Sequence, residues 1–254
     1  MLWYQGVRSI RWVWLGCVVG AASAGAGPPL LTDDPDTPGP NNWEINNAIV
    51  SEHAEHQWNI GAPLLDMNYG VGYHLQLKYQ VQYNINVPEH GGPSSGMGDS
   101  LAGIKWRFID QTTNGSWLEV STYPQVEFIY PSSSIWRGLG DKGDNLLLPI
   151  EIEHSFESVV VYAEAGYIWN EFKPYSVWYG LAGEWDLTKN FALMGEFYGG
   201  FDHRFENSGL SFNLGFSQIL TDHLALIGAF GRGIYGAQER APDFQSYLGL
   251  RVTF

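Results

Sequence analysis

The sequence has one cysteine, few charged residues and no long apolar run beyond its first two dozen positions. Cys17 is the only cysteine, so we predict a mature chain without disulfides or thiol chemistry. Charged residues make up 16% of the chain, whereas soluble domains usually carry roughly 25%. A helix that crosses a bilayer needs about 20 apolar residues, and no such stretch follows residue 24. These deficits argue against an ordinary soluble domain and exclude a helical membrane protein.

Positive charge is scarce as well. The chain has 13 Lys and Arg against 27 Asp and Glu, a formal net charge of −14, so we expect no nucleic-acid partner. Aromatic residues, by contrast, reach 15%, and there are 31 glycines and 11 tryptophans. This composition is typical of a membrane barrel, because half of each barrel strand faces water and half faces lipid.

Residues 75–87 (LQLKYQVQYNINV) alternate strictly between apolar and polar side chains. Successive side chains of a strand point to opposite faces, so this segment has one apolar and one polar face. A strand of this length, tilted by about 45°, rises roughly 30 Å, the thickness of a bilayer's hydrocarbon core. A long strand in a soluble sandwich would show the same pattern, but the rest of the chain favours an outer-membrane barrel.

The first 24 residues have the features of a secretory signal peptide. Arg8 and Arg11 supply the basic start, residues 12–22 form the apolar stretch, and Ala22-Ser23-Ala24 is an A-x-A cleavage site. We therefore predict that residues 1–24 are a leader that is cleaved on export. Export of a chain with amphipathic strands implies the outer membrane of a bacterial cell, with outer-membrane lipid as a partner.

Beyond the leader we predict an N-terminal periplasmic segment at 25–42, which is a candidate plug, and a barrel at 43–254. The fold class is all-β, a transmembrane antiparallel up-and-down β-barrel of twelve strands. An even number brings both ends of a single-chain barrel to one side. The count would be ten if the first hairpin were divided wrongly. The turn signals place the strands at 43–53, 56–67, 74–87, 97–109, 117–130, 146–156, 159–170, 176–187, 191–202, 209–220, 224–235 and 244–254.

Short and long connections tend to alternate along the chain, which predicts the sidedness of the barrel. The predicted periplasmic turns are 68–73, 110–116, 157–158, 188–190 and 221–223. The predicted extracellular loops are 88–96, 131–145, 171–175, 203–208 and 236–243.

The predicted outward faces are apolar on nearly every strand, as in Ile104, Trp106 and Phe108. Aromatic residues concentrate near predicted strand ends, where a ring with a polar edge suits the membrane–water boundary. These residues are Trp43, Trp58, Tyr69, Tyr73, Trp106, Trp117, Tyr130, Trp169, Trp185 and Phe191.

The last predicted strand, 244–254, places five apolar residues on one face and ends on Phe254. Chain termini usually fray, so an amphipathic strand that stops on an aromatic residue is unusual in a soluble domain. This ending resembles the C-terminal assembly signal of outer-membrane barrels. The resemblance implies that the barrel-insertion machinery recognises Phe254.

Three segments, 27–48, 62–84 and 96–108, resemble a family of barrels called the MetA-pathway of phenol degradation family. Their sequences are GPPLLTDDPDTPGPNNWEINNA, APLLDMNYGVGYHLQLKYQVQYN and GMGDSLAGIKWRF. The resemblance covers the N-terminal third of the chain, and the remainder matches only in its barrel pattern. It implies an outer-membrane transporter that passes hydrophobic or aromatic compounds, and it carries over no site residue.

The predicted inward face is rich in acidic residues and has fewer basic ones. A lumen with this imbalance favours cations, because a low-dielectric wall strengthens the fixed field. The same residues could instead pair across the lumen and fill a narrow barrel. The acidic residues are Glu119, Glu127, Glu151, Glu153, Glu164, Glu184, Asp186, Glu196 and Asp202. The basic residues are Lys78, Lys105, Arg107 and Arg251.

Three aspartates, Asp33, Asp34 and Asp36, lie in the segment that precedes the first predicted strand. Clustered carboxylates can bind a calcium ion, but acidic turn residues before prolines are much commoner. We predict no metal and no cofactor, and expect that this segment folds back as a periplasmic plug or lid.

An enzymatic role is a weaker alternative, because some outer-membrane barrels hydrolyse lipids with a Ser–His pair. His90 lies near Ser94 and Ser95, and His203 precedes Ser208. Neither arrangement provides a nucleophile, a base and an orienting group, so loop polarity explains these residues better.

We therefore predict a non-enzymatic outer-membrane channel or transporter for the passive passage of a small-molecule permeant. The first alternative is a closed structural barrel with a filled lumen, and the second is a lipid-modifying enzyme.

Overall fold

The computed structural model describes residues 27–111, 115–140, 142–205, 208–236 and 241–254. The predicted signal peptide and Cys17 lie outside these residues. The strands in the described residues are β1 (Trp43–Ala54), β2 (Gln57–Val71), β3 (Leu75–Pro88), β4 (Ser94–Ile109), β5 (Glu119–Thr122), β6 (Gln125–Ile129), β7 (Asn145–Ser155), β8 (Val159–Asn170), β9 (Ser176–Thr188), β10 (Phe191–Asp202), β11 (Gly209–Thr221), β12 (Leu224–Gly236) and β13 (Phe244–Thr253).

Antiparallel pairing joins these strands into one closed sheet. The first and last strands pair with each other, from Glu44 opposite Thr253 to His53 opposite Phe244. Both β5 and β6 pair with β4 on one side and with β7 on the other, so they are the two halves of one barrel strand. The architecture is a closed antiparallel barrel of twelve strands, which confirms the predicted fold class and excludes the count of ten.

The strand predicted at 117–130 is interrupted in its middle, at Tyr123 and Pro124. Ladder pairing stops between Thr122 opposite Ile150 and Gln125 opposite Leu147. Proline has no backbone N–H to donate to a ladder. The register on either side of the break puts Tyr123 opposite Pro149 and Pro124 opposite Leu148, so each strand lacks one ladder donor within the break between β5 and β6.

The connections define two ends of the barrel. The turn end carries the connections at 72–74, 110–118, 156–158, 189–190 and 222–223. The loop end carries those at 55–56, 89–93, 130–144, 171–175, 203–208 and 237–243. Trp43 and Phe254 both lie at the turn end, and a short 3₁₀-helix (Ser132–Arg137) lies within the 130–144 loop.

Two predicted strand limits differ from the structure by more than two residues. β2 continues to Val71, which shortens the turn predicted at 68–73 to residues 72–74, and β4 begins at Ser94 rather than at 97. In both places the ladder continues through glycines, Gly70 opposite Gln76 and Gly96 opposite Asn84. Glycine is a turn signal in a sequence, but here a paired neighbouring strand holds it in the sheet.

The outer face of the barrel exposes large apolar side chains, including Ile104 at 54% and Leu181 at 53%. A belt of this kind is unfavourable against water and is the surface that a bilayer covers. Of the aromatic residues predicted at the boundary, those exposed are Trp43, Trp58, Tyr73, Trp106, Trp117, Tyr130, Trp169 and Trp185. No helix in the described ranges is long and apolar enough to cross a membrane.

Candidate functional site

The inner face of the barrel is polar and carries the charged residues that the alternation predicts. Glu119, Glu151, Glu153, Glu164, Glu184, Glu196, Lys105 and Arg251 are buried, and Glu127, Lys78 and Arg107 are partly buried. Asp186 lies opposite the buried Ala192 of β10, which places it on the inner face, and it is exposed because it lies near the end of β9. The buried charges have partners on the barrel wall and on a segment inside it.

The N-terminal segment, residues 27–42, enters the barrel from the turn end. The Asn41 N–H donates to the Gly70 carbonyl at 2.9 Å, and the Gly70 N–H donates to the Asn42 carbonyl at 3.0 Å. A Cβ on Gly70 would lie 1.7 Å from the carbonyl oxygen of Gly39. Only glycine at position 70 therefore lets the segment pass this close to β2.

Glu196 of β10 holds the segment through its backbone. The N–H groups of Leu31 and Thr32 donate to its carboxylate at 2.9 and 2.7 Å, and the Thr32 hydroxyl donates at 2.6 Å. Asn213 of β11 donates at 2.6 Å to Oε1 of Glu196, the oxygen that also accepts from Leu31. Because Glu196 is only 1% exposed, these charge-assisted bonds satisfy a carboxylate that would otherwise be costly to bury.

The adjacent residues of the segment also contact the wall. The Asp33 N–H donates to Glu164 of β8 at 3.1 Å. Thr32 lies against Gly180 of β9, where an added Cβ would lie 2.1 Å from the threonine hydroxyl oxygen. The segment therefore fits against β8, β9 and β10.

A small apolar cluster anchors the start of the segment. Leu30 packs with Tyr162, Ala182, Met194 and Ala229, all of which are buried. This cluster sits inside a polar lumen, so the burial of Leu30 favours the docked position of the segment by hydrophobic contact.

Lys105 of β4 joins the segment to the opposite part of the wall. Its Nζ lies 3.1 Å from Asp33 Oδ1 and 3.3 Å from Glu151 Oε2, and it donates to the backbone carbonyl of Asp34. Burial raises the pKa of the Asp34 carboxyl well above its usual value, and the charge of Lys105 opposes this rise. The predicted carboxylate cluster is thus neutralised by a barrel lysine.

Arg107, two residues further along β4, makes the next link. Its Nη1 lies 2.6 Å from Asp36 Oδ1 and 2.9 Å from Glu119 Oε2, and its Nη2 donates to the Tyr73 carbonyl at 3.0 Å. Thr37 of the segment donates to the same carbonyl at 3.2 Å. The three segment aspartates therefore face two basic side chains.

Arg251 of β13 contacts the far end of the segment. Its Nη2 donates to the Pro28 carbonyl, and its Nε donates to Asn46 at 3.2 Å and lies 3.6 Å from Glu44. Lys78 pairs with Asp66 of β2 at 3.2 Å. Each basic side chain predicted to face the lumen therefore has an acidic partner on the barrel itself.

Three predicted lumen residues have other surroundings. Glu127 accepts from Asn145 at 2.7 Å, Glu153 accepts from Ser155 at 2.9 Å, and Glu184 is buried on β9. These residues add carboxyl groups to the lumen wall beyond the four acid–base pairs.

The 130–144 loop folds against β3 and β4 at the loop end, which was not predicted. Asn84 donates to the Leu139 carbonyl at 2.8 Å, and Arg137 donates to the Ser95 carbonyl at 2.7 Å. Leu139 is only 2% exposed. An apolar residue between two glycines, Gly138 and Gly140, was the available signal for this contact.

Tyr123 is a second inward residue that was not predicted. It is fully buried, its hydroxyl accepts from Gln76 at 3.0 Å, and its ring centroid lies 4.8 Å from Lys105 Nζ. The alternation with Glu119 and Ser121 assigns Tyr123 to the inner face.

A cavity of about 630 Å³ lies next to the docked segment. Its walls come from β1, β2 and β3 and from β11, β12 and β13. Residues 27–31 of the docked segment also line it. The lumen of the described barrel is thus divided into a region filled by the segment and a region that is open.

No family model and no curated protein matches this chain. Among solved structures, an outer membrane channel from Pseudomonas putida F1 is similar over 90% of this chain and 100% of its own, with a TM-score of 0.65 and 14% identity. The KdgM porin covers 83% of this chain and 99% of its own, with a TM-score of 0.58 and 9% identity. The NanC porin covers 84% and 98%, with a TM-score of 0.52 and 8% identity.

These identities are too low to transfer a function, but they show a shared fold. The similar structures are an outer-membrane channel and two porins. This chain itself has a closed wall of twelve strands with an exposed apolar belt. The chain has the fold of an outer-membrane channel, and its place is the bacterial outer membrane.

Proposed function

We propose that this protein is an outer-membrane channel for the passive passage of small molecules, and that its N-terminal segment is a plug. The observation that supports this most is how the segment is held. Inside the lumen, the segment is held by barrel side chains such as Glu196, Lys105 and Arg107. A segment held in this way can leave the lumen without breaking the barrel ladder.

The charges of the wall support a preference for cations. Lys78, Lys105, Arg107 and Arg251 each have an acidic partner on the barrel. Glu164 and Glu196 instead accept hydrogen bonds from the backbone of the segment. Withdrawal of the plug would leave these carboxylates facing the pore, where fixed negative charge enriches cations.

The identity of the permeant is a separate part of the proposal. The family resemblance of segments 27–48, 62–84 and 96–108 implies hydrophobic or aromatic compounds, and we keep this class as one candidate. We also propose that residues 1–24 direct export and that the barrel-insertion machinery recognises Phe254.

A closed structural barrel is the first alternative, because the segment and the 130–144 loop both occupy the lumen. A lipid-modifying enzyme has less support. The Ser94 hydroxyl donates to the Arg137 carbonyl at 3.0 Å, and the Ser95 hydroxyl accepts from Tyr83 at 3.2 Å. Both serines near His90 thus have structural partners, and we propose a non-enzymatic role.

Single-channel recording in a planar bilayer with a salt gradient tests the channel directly. Glu196→Ala removes the main acceptor of the plug backbone, and a hydrogen bond to a charged group contributes about 1.5–3 kcal/mol. We expect discrete cation-selective steps that are at least about tenfold more frequent in this variant. The matched control is Glu184→Gln, which removes the same charge from the lumen wall without touching the plug. Silence from both folded variants would favour the closed structural barrel.

A further inference from the structure

Among the polar side chains that line the cavity beside the plug, uncharged ones outnumber charged ones. Its amide groups come from four strands: Asn59 of β2, Gln80, Gln82 and Asn84 of β3, Asn213 of β11 and Gln245 of β13. Amides both donate and accept hydrogen bonds. The site therefore suits a ligand whose groups both donate and accept hydrogen bonds.

Two of these amides are available to a ligand. No side-chain hydrogen bond joins Gln80 or Gln82 to another residue in the described parts of the chain. The buried hydroxyl of Tyr247, which also lines the cavity, has no partner among the described residues. Buried polar atoms are rarely left without a hydrogen bond, so this hydroxyl indicates a missing polar contact.

The charged residues around the cavity already have partners, and for Glu52 the partner is the uncharged amide of Asn59. Lys78 lies 3.2 Å from Asp66, and Asp33 lies 3.1 Å from Lys105. Glu127 accepts from Asn145 at 2.7 Å. An ionic ligand would have to compete with these partners, whereas an uncharged one would not.

The cavity also has an apolar side, formed by Leu30, Leu64 and Tyr247. Ligand sites commonly combine apolar walls with a few placed polar groups and have volumes of about 300–1,000 Å³. The volume here, about 630 Å³, falls within that range. A molecule with hydroxyl groups on its rim and C–H groups on its face matches both sides.

We propose that this cavity binds an uncharged, polyhydroxylated molecule of the size of a mono- or disaccharide. Gln80 and Gln82 bind its hydroxyl groups, and the plug forms the base of the site. The inference rests on the proposed channel function, because the bound molecule is then the permeant or a close analogue of it.

Equilibrium dialysis of the folded mature chain in detergent micelles tests the site. The radiolabelled probes are glucose, maltose, gluconate, glucosamine and phenol. Glucose, gluconate and glucosamine share a hydroxyl-rich six-carbon frame and differ in charge, while phenol offers an apolar ring. We expect saturable binding of glucose or maltose that is tighter than binding of the other three probes. Tighter binding of phenol or of a charged probe overturns the proposal, as does the lack of saturable binding by both neutral sugars.

Variants assign the binding to this cavity. The double variant Gln80→Leu, Gln82→Leu should bind the neutral sugar about tenfold more weakly, since it loses at least two hydrogen bonds. Gln125→Leu is the matched control, because Gln125 is a buried amide of β6 outside the cavity. Equal weakening by the control contradicts the site.

A second variant keeps the proposal testable if the double variant does not fold. Gln80→Glu preserves size and polarity, and it should shift the preference from glucose towards glucosamine. An unchanged preference in this variant overturns the assignment.

Conductance of the same samples separates the two proposals. Conductance steps without sugar binding overturn the site alone, whereas sugar binding by a barrel that never conducts overturns the channel alone.

Discussion

Glu196 and Thr32 are joined by two hydrogen bonds, from the threonine N–H at 2.7 Å and from its hydroxyl at 2.6 Å. The carboxylate belongs to the barrel wall and the threonine to the N-terminal segment. The two residues lie 164 positions apart in the sequence. This contact holds the irregular N-terminal segment inside the lumen, and the proposed plug depends on it.

Gly180→Ala should displace the plug. The added methyl would lie 2.1 Å from the Thr32 hydroxyl oxygen, whereas Gly183→Ala on the same strand would meet nothing closer than 3.5 Å. A protease that cleaves after acidic residues should therefore cut at Asp33 to Asp36 faster in Gly180→Ala than in the wild type. Equal cleavage of the two alanine variants would show that Thr32 is not held against Gly180.

Lys105→Met should destabilise the protein by about 3–5 kcal/mol, because it leaves the buried Glu151 and the partly buried Asp33 without their cation. Urea unfolding in detergent micelles measures the loss. Lys189→Met, at an exposed turn, is the control and should have almost no effect. A loss of less than about 1 kcal/mol would mean that the lysine behaves as an exposed charge.

Asp34→Asn should stabilise the protein at about pH 8 and change little near pH 4. Because burial raises the pKa of Asp34, the folded state holds its proton more tightly than the unfolded state does. This preference stabilises the fold below the unfolded pKa and is lost as the pH rises through the folded pKa. Asparagine keeps the oxygen that accepts the Asp36 N–H at 2.7 Å and carries no charge.

The urea midpoints of the wild type and of Asp34→Asn at these two pH values provide the measurement. A lower midpoint for the variant at the higher pH would mean that attraction to Lys105 outweighs the cost of burial.

Val81→Arg should cost about 2–4 kcal/mol of folding stability, because it puts a charge on the lipid face near mid-strand. Gln82→Arg, one residue along on the lumen face, should cost much less. A refolding titration into lipid vesicles compares the two. Similar costs would contradict the assignment of inner and outer faces on β3.

Phe254→Ala should reduce assembly in cells more than refolding in vitro. Phe254 exchanges backbone hydrogen bonds with Trp43 at 2.6 and 3.1 Å, and these bonds survive the substitution. Phe244→Ala, at the other end of β13, is the control. If both variants assemble equally well in cells, the insertion machinery does not recognise the terminal aromatic residue.

Alternation was enough to predict most of the barrel. β8 and β10 match the predicted ranges 159–170 and 191–202 at both ends, because the turn residues that flank them mark both limits. The break between β5 and β6 was not predictable from one segment. It depends on Pro124 and Pro149 falling in the same stretch of the ladder, and only the strand register shows this.

Alternation assigns side chains to the inner face but does not give their contacts. Period-two alternation assigned Glu164 and Glu196 to the inner face. It could not pair them with Leu31 to Asp33, because the segment has no periodicity and its path depends on the finished lumen. Alternation also does not show that Asp186 is exposed, which follows from its position two residues from the end of β9.

The most direct test locks the plug in place. The Cβ of Thr32 lies 2.9 Å from the Cβ position at Gly180, so a small shift reaches the separation of about 3.8 Å in a disulfide. In the double variant Thr32→Cys, Gly180→Cys, the oxidised channel should stay closed in a planar bilayer, and reduction should open it reversibly. The same conductance before and after reduction would contradict the claim that residues 27–42 plug the channel.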